Sequence, residues 1–250
     1  MFYFDNFYGK KVLKSTLLDD CEHFFTTRDF VLCEGNRQDL KNIAAQNVDF
    51  LMTKSNIEEK DLYRCKQMHT SNIKVANNDN NFFDNTDAII LVKKNTAAFL
   101  NFADCIPIIL YDSVMKIGAV VHAGWRGTAL KIQQKTVNMM CQYGSNPKNI
   151  KAAIGPGIGL CCFEVDKDVF DKIFKELDIT NFHSTFKKNI QNDKYNIDLK
   201  LLNKILLNEV LIQNIDISDY CTCCSNDLFF SYRKELKNTA RHSAYLKIKG

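Results

Sequence analysis

Short apolar runs alternate with helical patterns through the middle of the chain. Four such runs, at residues 88–92, 97–102, 106–111 and 117–122, are bounded by polar residues or glycine. Their length and β-branched content favour strands over helices. The links between these runs are too short for parallel crossovers, which predicts mixed or antiparallel pairing. A further strand is predicted over 243–248.

Helical spacing of apolar residues follows these strands. One helix is predicted over 128–143, with Gly144 in the position that follows a helix C-terminus. Asp166 is predicted to cap a second helix and Asp198 a third. Strands and helices mix without a repeat or a linker, so we expect the α/β (α+β) class and one domain over residues 1–250.

Composition excludes several classes of protein. The 250 residues are 46% hydrophobic, which is enough for one large core, and the net charge of +4 is spread along the chain. The densest basic run, at 247–249, lacks interleaved aromatic residues, so no nucleic-acid partner is expected. No apolar stretch approaches the ~20 residues that span a bilayer. The chain start carries an acidic residue and no long apolar segment, so a cytoplasmic protein without a membrane partner is expected.

The ten cysteines do not resemble a disulfide framework, because the chain is long and rich in core residues. We expect reduced thiols, most of them buried as small hydrophobic side chains. A second metal site could involve Cys221, Cys223 and Cys224, whose nearest other cysteines in the sequence are Cys161 and Cys162. No second pair follows at zinc-ribbon spacing, so the pattern favours buried thiols.

Three polar segments interrupt the predicted strands and hold candidate metal ligands. They contain Gln67-Met68-His69, Asp104-Cys105-Ile106-Pro107 and the His122–Gly127 segment HAGWRG. Two imidazoles and a thiolate form a borderline-soft set that suits Zn²⁺, with copper as the alternative metal. Three protein ligands leave a fourth position for water or substrate, as in a catalytic zinc site that lowers the pKa of bound water towards ~7. From spacing alone, each of these residues could equally be a structural core residue.

A family resemblance joins these segments. In order, the chain contains QMH, ADCIP, HAGWRG, GPGI, CFEV, CT and FSYR, at residues 67–69, 103–107, 122–127, 155–158, 162–165, 221–222 and 230–233. This series resembles the polyphenol oxidase/laccase-like family, which is associated with purine nucleoside phosphorylase and adenosine deaminase activity. The likeness runs from about Phe24 to Leu246. It implies a monomeric four-layer α/β/β/α sandwich with mixed sheets, similar to the deamidating-toxin fold, and zinc held by His69, Cys105 and His122.

The resemblance also implies a substrate class. We expect phosphorolysis of adenosine, inosine, guanosine and methylthioadenosine, and deamination of adenosine, with purine nucleosides and inorganic phosphate as partners. Catalytic roles are expected for Asp104, Cys105 and Arg233. Asp104 could orient a ligating histidine or equally cap a turn. Substrate contacts are expected from Arg28, Asn36, Arg37, Gln67 and Arg126. Guanidinium groups bind phosphate bidentately, although each could instead pair with a carboxylate.

The chain departs from the family pattern in two places. Only seven residues separate Thr26-Thr27-Arg28 from Asn36-Arg37, where family members usually carry a longer glycine-rich stretch. The family's C-terminal Thr-Gly-Arg reads Thr239-Ala240-Arg241. These changes bear on substrate contacts and leave the expected metal ligands intact.

Four other functions fit parts of the sequence. Cys105 could act as a nucleophile with His122 as its base, giving a metal-free hydrolase or deamidase. Oxidation of phenols by copper would need many imidazoles, and the chain has five. A factor that edits cell-wall (peptidoglycan) precursors in the cytoplasm would need a nucleotide-sugar pocket. A binding protein would keep the zinc without turnover.

Overall fold

The computed structural model of the protein describes residues 1–77, 80–175, 177, 179–190 and 193–250. Over these residues the α-helices are α1 (Lys41–Ser55), α2 (Trp125–Ala129), α3 (Ile132–Gln142), α4 (Lys167–Phe174) and α5 (Leu199–Glu209). The strands are β1 (Phe2–Phe7), β2 (Lys10–Ser15), β3 (Glu22–Thr26), β4 (Leu62–Cys65), β5 (Ile73–Ala76), β6 (Phe82–Phe83), β7 (Ala88–Leu91), β8 (Ala97–Phe102), β9 (Ile106–Asp112), β10 (Ile117–Ala123), β11 (Ile150–Ile154), β12 (Glu164–Val165), β13 (Phe186–Asn189), β14 (Lys194–Ile197), β15 (Asn214–Ile217) and β16 (His242–Lys247). None of the described helices is long and apolar enough to cross a bilayer.

The strands form two large mixed sheets and one small one. The first sheet has the order β1-β2-β3-β16-β8-β4-β6, antiparallel as far as β8 and parallel beyond it. The second has the order β15-β11-β9-β10-β7-β5, with antiparallel pairs in the centre and a parallel strand at each edge. The third, β12-β14-β13, is antiparallel. The predicted mixed and antiparallel pairing is therefore confirmed.

Alternate residues of the central strands face two different cores. In β8, Leu100 packs between the two large sheets, whereas Phe99 packs towards α1 on the outer face. In β9, Ile109 joins the inner core, whereas Leu110 packs under the helices α3, α4 and α5. Strands buried on both faces read as continuous apolar runs. The layers are helix, sheet, sheet and helices, which confirms the predicted α/β/β/α sandwich.

The predicted elements agree closely with the structure where the apolar pattern is strongest. The five predicted strands match β7, β8, β9, β10 and β16 to within one residue at each end. The Asp198 carboxylate caps α5 by accepting from the Leu201 backbone N–H at 2.9 Å. Asp166 precedes α4 as predicted, but its side chain makes no capping hydrogen bond. Its carboxylate instead lies 3.5 Å from the Lys194 ammonium.

One predicted helix is two. The chain over 128–143 breaks at Lys131, whose φ of 57° and ψ of 41° are left-handed, so α2 ends before it and α3 begins after it. The Lys131 N–H donates to the Thr128 carbonyl at 2.9 Å and closes a tight turn. The prediction was wrong because apolar spacing does not report the backbone angles of a polar linking residue. Gly144 follows α3 with a φ of 102°, as predicted for the position after the C-terminus.

The expectation that most of the thiols are buried is wrong. All ten cysteines lie in described residues and are free, and two of them, Cys21 and Cys221, are buried. Cys161 and Cys224 are exposed, because they lie in surface loops rather than on the inward faces of strands.

The chain passes three times from the first large sheet to the second at one end of the sandwich. The three links are residues 66–72, 84–87 and 103–105, between β4 and β5, β6 and β7, and β8 and β9. The strands β4, β6 and β8 are parallel to one another, so their C-terminal ends share one edge. The strand β10 ends beside the start of β9, where His122 lies opposite Pro107. Polar residues from four separate segments therefore meet at this end.

Candidate metal centre and its cavity

The sheet crossovers bring the three predicted metal ligands together. His69 lies in the link after β4, Cys105 in the link after β8, and His122 near the end of β10. Their potential ligand atoms, two ring nitrogens and one sulfur, all lie within 4.8 Å of one another. The ring centroids of His69 and His122 are 4.8 Å apart, with the rings inclined at 74°. His122 is buried and His69 is exposed, so the group opens to one side.

A carboxylate that was not predicted from the sequence holds this group in place. Asp87, just before β7, lies with Oδ1 2.8 Å from Nδ1 of His122. This leaves Nε2 of His122 as the nitrogen available to a metal, the usual arrangement when a carboxylate orients a ligating histidine. The same carboxylate accepts from the backbone N–H of His69 at 3.0 Å and of Thr70 at 2.7 Å. Asp87 therefore positions two of the three ligand-bearing segments.

The charges in the group favour a thiolate. Burial alone would raise the pKa of Cys105 and lower that of His122, because it disfavours their charged forms. The mutual attraction of these two side chains, with the Asp87 carboxylate behind His122, outweighs burial. The pKa of Cys105 is therefore lowered below its ordinary value and that of His122 is raised. A thiol that loses its proton readily is suited to bind a metal.

Backbone conformation lets the ligands approach closely. A Cβ atom at Gly124 would lie 2.9 Å from the Cys105 sulfur and 3.3 Å from Cδ2 of His69, so a larger residue there would crowd the group. His69 itself has a φ of 60°, and Asp104, beside Cys105, has a φ of 85°. Left-handed backbone in residues other than glycine costs free energy and clusters at functional sites.

The three candidate ligands line a cavity of about 450 Å³. This volume lies within the roughly 300–1,000 Å³ of typical small-molecule sites. Three arginines line it: Arg126, Arg233 and Arg241. The Arg126 guanidinium lies 4.1 Å from the Trp125 ring centroid. The lining consists of Gln67, His69, Asn101, Ala103, Asp104, Cys105, His122, Trp125, Arg126, Ile158, Phe163, Tyr232, Arg233 and Arg241.

Asp104 connects the cavity wall to the C-terminal segment rather than to a histidine. Its Oδ1 accepts from the Thr222 hydroxyl at 2.7 Å, and its Oδ2 accepts from the Arg233 backbone N–H at 2.7 Å. The expectation that Asp104 orients a ligating histidine is therefore wrong. The Asp104 carboxylate accepts from Thr222 and Arg233 instead, and Asp87 is the carboxylate that contacts His122. The Arg233 guanidinium is anchored in turn on the carbonyls of Cys162 and Glu164, at 3.1 and 3.2 Å.

Gln67 lines the cavity with its amide already engaged. Its Nε2 donates to the Asn101 carbonyl and its Oε1 accepts from the Asn101 N–H, both at 2.8 Å. This pair extends β8 sideways and fixes the segment that leads to His69. The contact identifies Gln67 as a residue that shapes the cavity.

The structure does not bring the other three expected substrate residues into the cavity lining. Arg28 donates to Glu235 at 2.6 Å and lies 4.3 Å from the Phe230 ring centroid. Both Nε and Nη2 of Arg37 donate to the Asp39 carboxylate, and the Asn36 amide donates to the Lys237 carbonyl at 2.8 Å. Arg241, for which no role was expected, lines the cavity instead.

Comparison with known proteins places the chain among relatives with named activities. It is 34% identical over 167 residues to the purine nucleoside phosphorylase YlmD of Bacillus subtilis, covering 66% of this chain and 59% of that protein. It is 37% identical over 160 residues to the adenosine deaminase RL5 of an unidentified prokaryote, covering 63% and 60%. The chain therefore spans about three fifths of the length of these curated relatives.

A solved structure extends the similarity across the whole fold. The Bacillus licheniformis hypothetical protein YfiH superposes with a TM-score of 0.86 and 29% identity, covering 98% of this chain and 99% of that one. A family model also matches residues 29–249, which include the three candidate ligands, Asp87 and the arginines of the cavity. The chain belongs to the family described as multi-copper polyphenol oxidoreductase laccase.

Proposed function

We propose that the protein is a zinc-dependent purine nucleoside phosphorylase that works as one unit over residues 1–250. The observation that carries this proposal is the cavity, whose lining combines a cluster of two imidazoles and a thiol with three arginines. The name of the Bacillus subtilis relative supports the same activity. A nucleoside and a phosphate need an anion-binding region next to an apolar one, and Ile158, Phe163 and Trp125 provide the apolar part.

The donor set fits zinc. His69, Cys105 and His122 would hold the ion, with Asp87 fixing the His122 ring through Nδ1. Zinc bound with an open position would supply Lewis acidity beside the substrate. A multicopper cluster needs more imidazoles, and two others are engaged elsewhere. Nε2 of His23 accepts from the Ser15 N–H at 3.0 Å, and His242 is buried between aromatic rings.

The chain's own residues provide for the phosphate. In phosphorolysis a phosphate oxygen forms a bond to C1′ of the ribose, the C1′–N9 bond breaks, and the purine leaves with the bonding electrons and takes up a proton. We assign the phosphate to Arg126 and Arg241, because guanidinium groups bind phosphate through paired N–H donors. Arg233 contributes charge, with its position fixed by Asp104 and by the carbonyls it contacts.

Deamination of adenosine is the second candidate. The relative named adenosine deaminase RL5 favours it, since the match covers 63% of this chain. In this reaction the oxygen of water bonds to C6 of the purine, the bond from C6 to the amino nitrogen breaks, and ammonia leaves to give inosine, so no phosphate is consumed. The two reactions therefore differ in their need for phosphate.

A metal-free alternative uses the same residues. The lowered pKa of the Cys105 thiol beside His122 also suits a nucleophile and its base. The two functions make opposite demands on zinc, because a metal on Cys105 would occupy the nucleophile.

The deciding experiment incubates zinc-loaded protein with adenosine, inosine or guanosine, with and without phosphate, and separates the products by chromatography. We expect phosphate-dependent release of the free base. Inosine formed from adenosine without phosphate would assign deamination instead. Nucleosides that survive both conditions, together with amide hydrolysis by metal-free protein, would overturn both proposals in favour of the Cys105 hydrolase.

A variant pair controls for contaminating enzymes. His122→Ala removes a ligand and should abolish turnover. Arg37→Gln alters a guanidinium that is paired with Asp39 outside the cavity and should retain it.

A further inference from the structure

Four cysteine thiols meet in two loops that adjoin the lining of the cavity. Cys161 and Cys162 follow the turn at Gly159, and Cys221 and Cys224 lie in the loop after β15. Their sulfur atoms all lie within 4.8 Å of one another. Among the described residues, this group and the candidate metal centre are the two that bring three or more potential ligands together.

The spacing of the sulfur atoms matches a tetrahedral metal site. Cys224 lies 3.5 Å from the Cys161 sulfur and 3.4 Å from the Cys162 sulfur. Four thiolates on one zinc, at Zn–S distances of ~2.3 Å, would be separated by about 3.8 Å along each edge of the tetrahedron. A disulfide would need about 2.05 Å and would use two of the four sulfurs. A four-iron cluster binds each thiolate to a different iron and would hold the sulfurs farther apart.

The two loops are aligned by hydrogen bonds of their own. The Gly159 N–H donates to the Cys221 sulfur at 3.2 Å, and the Thr222 N–H donates to the Gly157 carbonyl at 3.2 Å. Cys221 and Cys224 also have the two-residue spacing of a zinc-binding pair. These contacts hold the loop that carries Cys221 and Cys224 beside the segment that leads to Cys161 and Cys162.

We propose that Cys161, Cys162, Cys221 and Cys224 bind a second zinc ion in a closed, structural site. Four thiolates complete the tetrahedron and leave no position for substrate, which distinguishes this site from the candidate metal centre. Four neutral thiols at this spacing have only weak hydrogen bonds to one another, whereas an ion would stabilise all four as thiolates.

The position of the site explains what the ion would hold together. Arg233 of the cavity donates to the Cys162 carbonyl, and the Thr222 hydroxyl donates to Asp104, the neighbour of Cys105. An ion on the four cysteines would tie these two loops together and thereby hold the part of the cavity lining that contains Arg233 and Asp104.

The test counts metal in the wild-type protein, purified under reducing conditions with zinc present and then freed of excess. We expect two zinc ions per chain by elemental analysis. The Cys161→Ser/Cys224→Ser variant should hold one zinc ion, at the candidate metal centre. His122→Ala should also hold one, at the four cysteines. Cys223→Ser, which removes a thiol outside the group from the same loop, should hold two.

Cobalt provides a second measurement that needs no variant. Cobalt-loaded wild-type protein should show the intense sulfur-to-metal charge-transfer band of an ion bound by four thiolates. The ion at the candidate metal centre, which is bound by one thiolate, should add a weaker band. One zinc per chain that is lost in His122→Ala would overturn the proposal. A disulfide among the four cysteines that persists under reducing conditions, found by counting thiols in denatured protein, would also overturn it.

Discussion

The carboxylate of Asp87 lies 2.8 Å from Nδ1 of His122, and its two oxygens also accept from the backbone N–H groups of His69 and Thr70. One buried side chain thus fixes the ring of one candidate ligand and the main chain of another. The hydrogen bonds to this carboxylate outweigh burial and hold its pKa below the ordinary value. Asp87 is therefore charged at neutral pH, where it can orient His122.

We expect Asp87→Asn to weaken zinc binding by about 10- to 100-fold, the usual effect of losing a carboxylate behind a ligating histidine. Asparagine can accept from His122, but its NH₂ group would face a backbone N–H donor. Competition with a chromogenic chelator measures the affinity. Asp168→Asn, which changes an exposed carboxylate paired with Lys172, is the matched control. Equal affinities in the two variants would show that Asp87 does not support the site.

The arginines of the cavity give a second prediction, which rests on the proposed phosphorylase activity. Arg126→Gln should raise the KM for phosphate about 10-fold or more, since a hydrogen bond to a charged group contributes ~1.5–3 kcal/mol. Arg37→Gln should leave that KM unchanged, because the Arg37 guanidinium is held by Asp39 outside the cavity. Steady-state rates over a range of phosphate concentrations distinguish the two. The same KM in both variants would remove Arg126 from the phosphate site.

The metal ligands and the arginine contacts differ in how far the sequence could predict them. His69, Cys105 and His122 lie in short motifs whose residue types already indicate a metal. Asp87 lies in a polar segment, Asn85-Thr86-Asp87, that reads as a turn, and its distance from His122 along the chain conceals a tertiary contact. The one feature of the sequence that marks Asp87 is its position immediately before a predicted strand.

The misassigned arginines have a related explanation. Arg28 and Arg37 are of the residue type expected in an anion site. Each guanidinium, however, forms an ion pair with a nearby carboxylate and is held outside the cavity lining. The pairing partner of Arg28 is Glu235, far away in the sequence.

The strands were predicted well because burial on both faces leaves a continuous apolar signal.

Acid should destabilise the protein through His23. The backbone N–H of Ser15 donates to Nε2 of this buried ring, so protonation at Nε2 breaks the hydrogen bond. Burial lowers the pKa of His23 from 6.5 to about 4. Between these values the unfolded chain binds the proton and the folded one does not, so stability falls as the pH drops from 6.5 towards 4. The loss attributable to His23 is roughly 3 kcal/mol over this window.

Urea unfolding at several values between pH 7 and pH 4 tests this prediction. His23→Gln should show a shallower loss of unfolding free energy with acid than the wild type, whatever its stability at pH 7. Parallel curves for His23→Gln and the wild type would contradict the assignment.

The break between α2 and α3 provides a prediction of increased stability. Lys131 has a left-handed backbone, which costs about 1–2 kcal/mol in residues other than glycine. Lys131→Gly would relieve this cost, but glycine also adds conformational entropy to the unfolded chain and so offsets part of the gain. The net result should be a fold more stable by about 0.5–1 kcal/mol. Lys135→Gly, in the exposed interior of α3, should destabilise it by about 1 kcal/mol. Thermal unfolding of both variants is sufficient, and a loss of stability in Lys131→Gly would contradict the backbone assignment.

The three sheet crossovers divide the candidate metal centre between distant parts of the chain. The turn of residues 113–116 between β9 and β10 is exposed, with Val114 67% accessible. A cut in this turn would leave His69, Asp87 and Cys105 on one fragment and His122 on the other. Neither fragment would then contain a complete ligand set. The proposed four-cysteine site lies wholly on the second fragment, so that fragment could bind one zinc ion by itself. Zinc captured by the mixture in excess of that captured by the second fragment alone would therefore report that both halves of the sandwich had reassembled, which makes the metal of the candidate centre a built-in indicator of complementation.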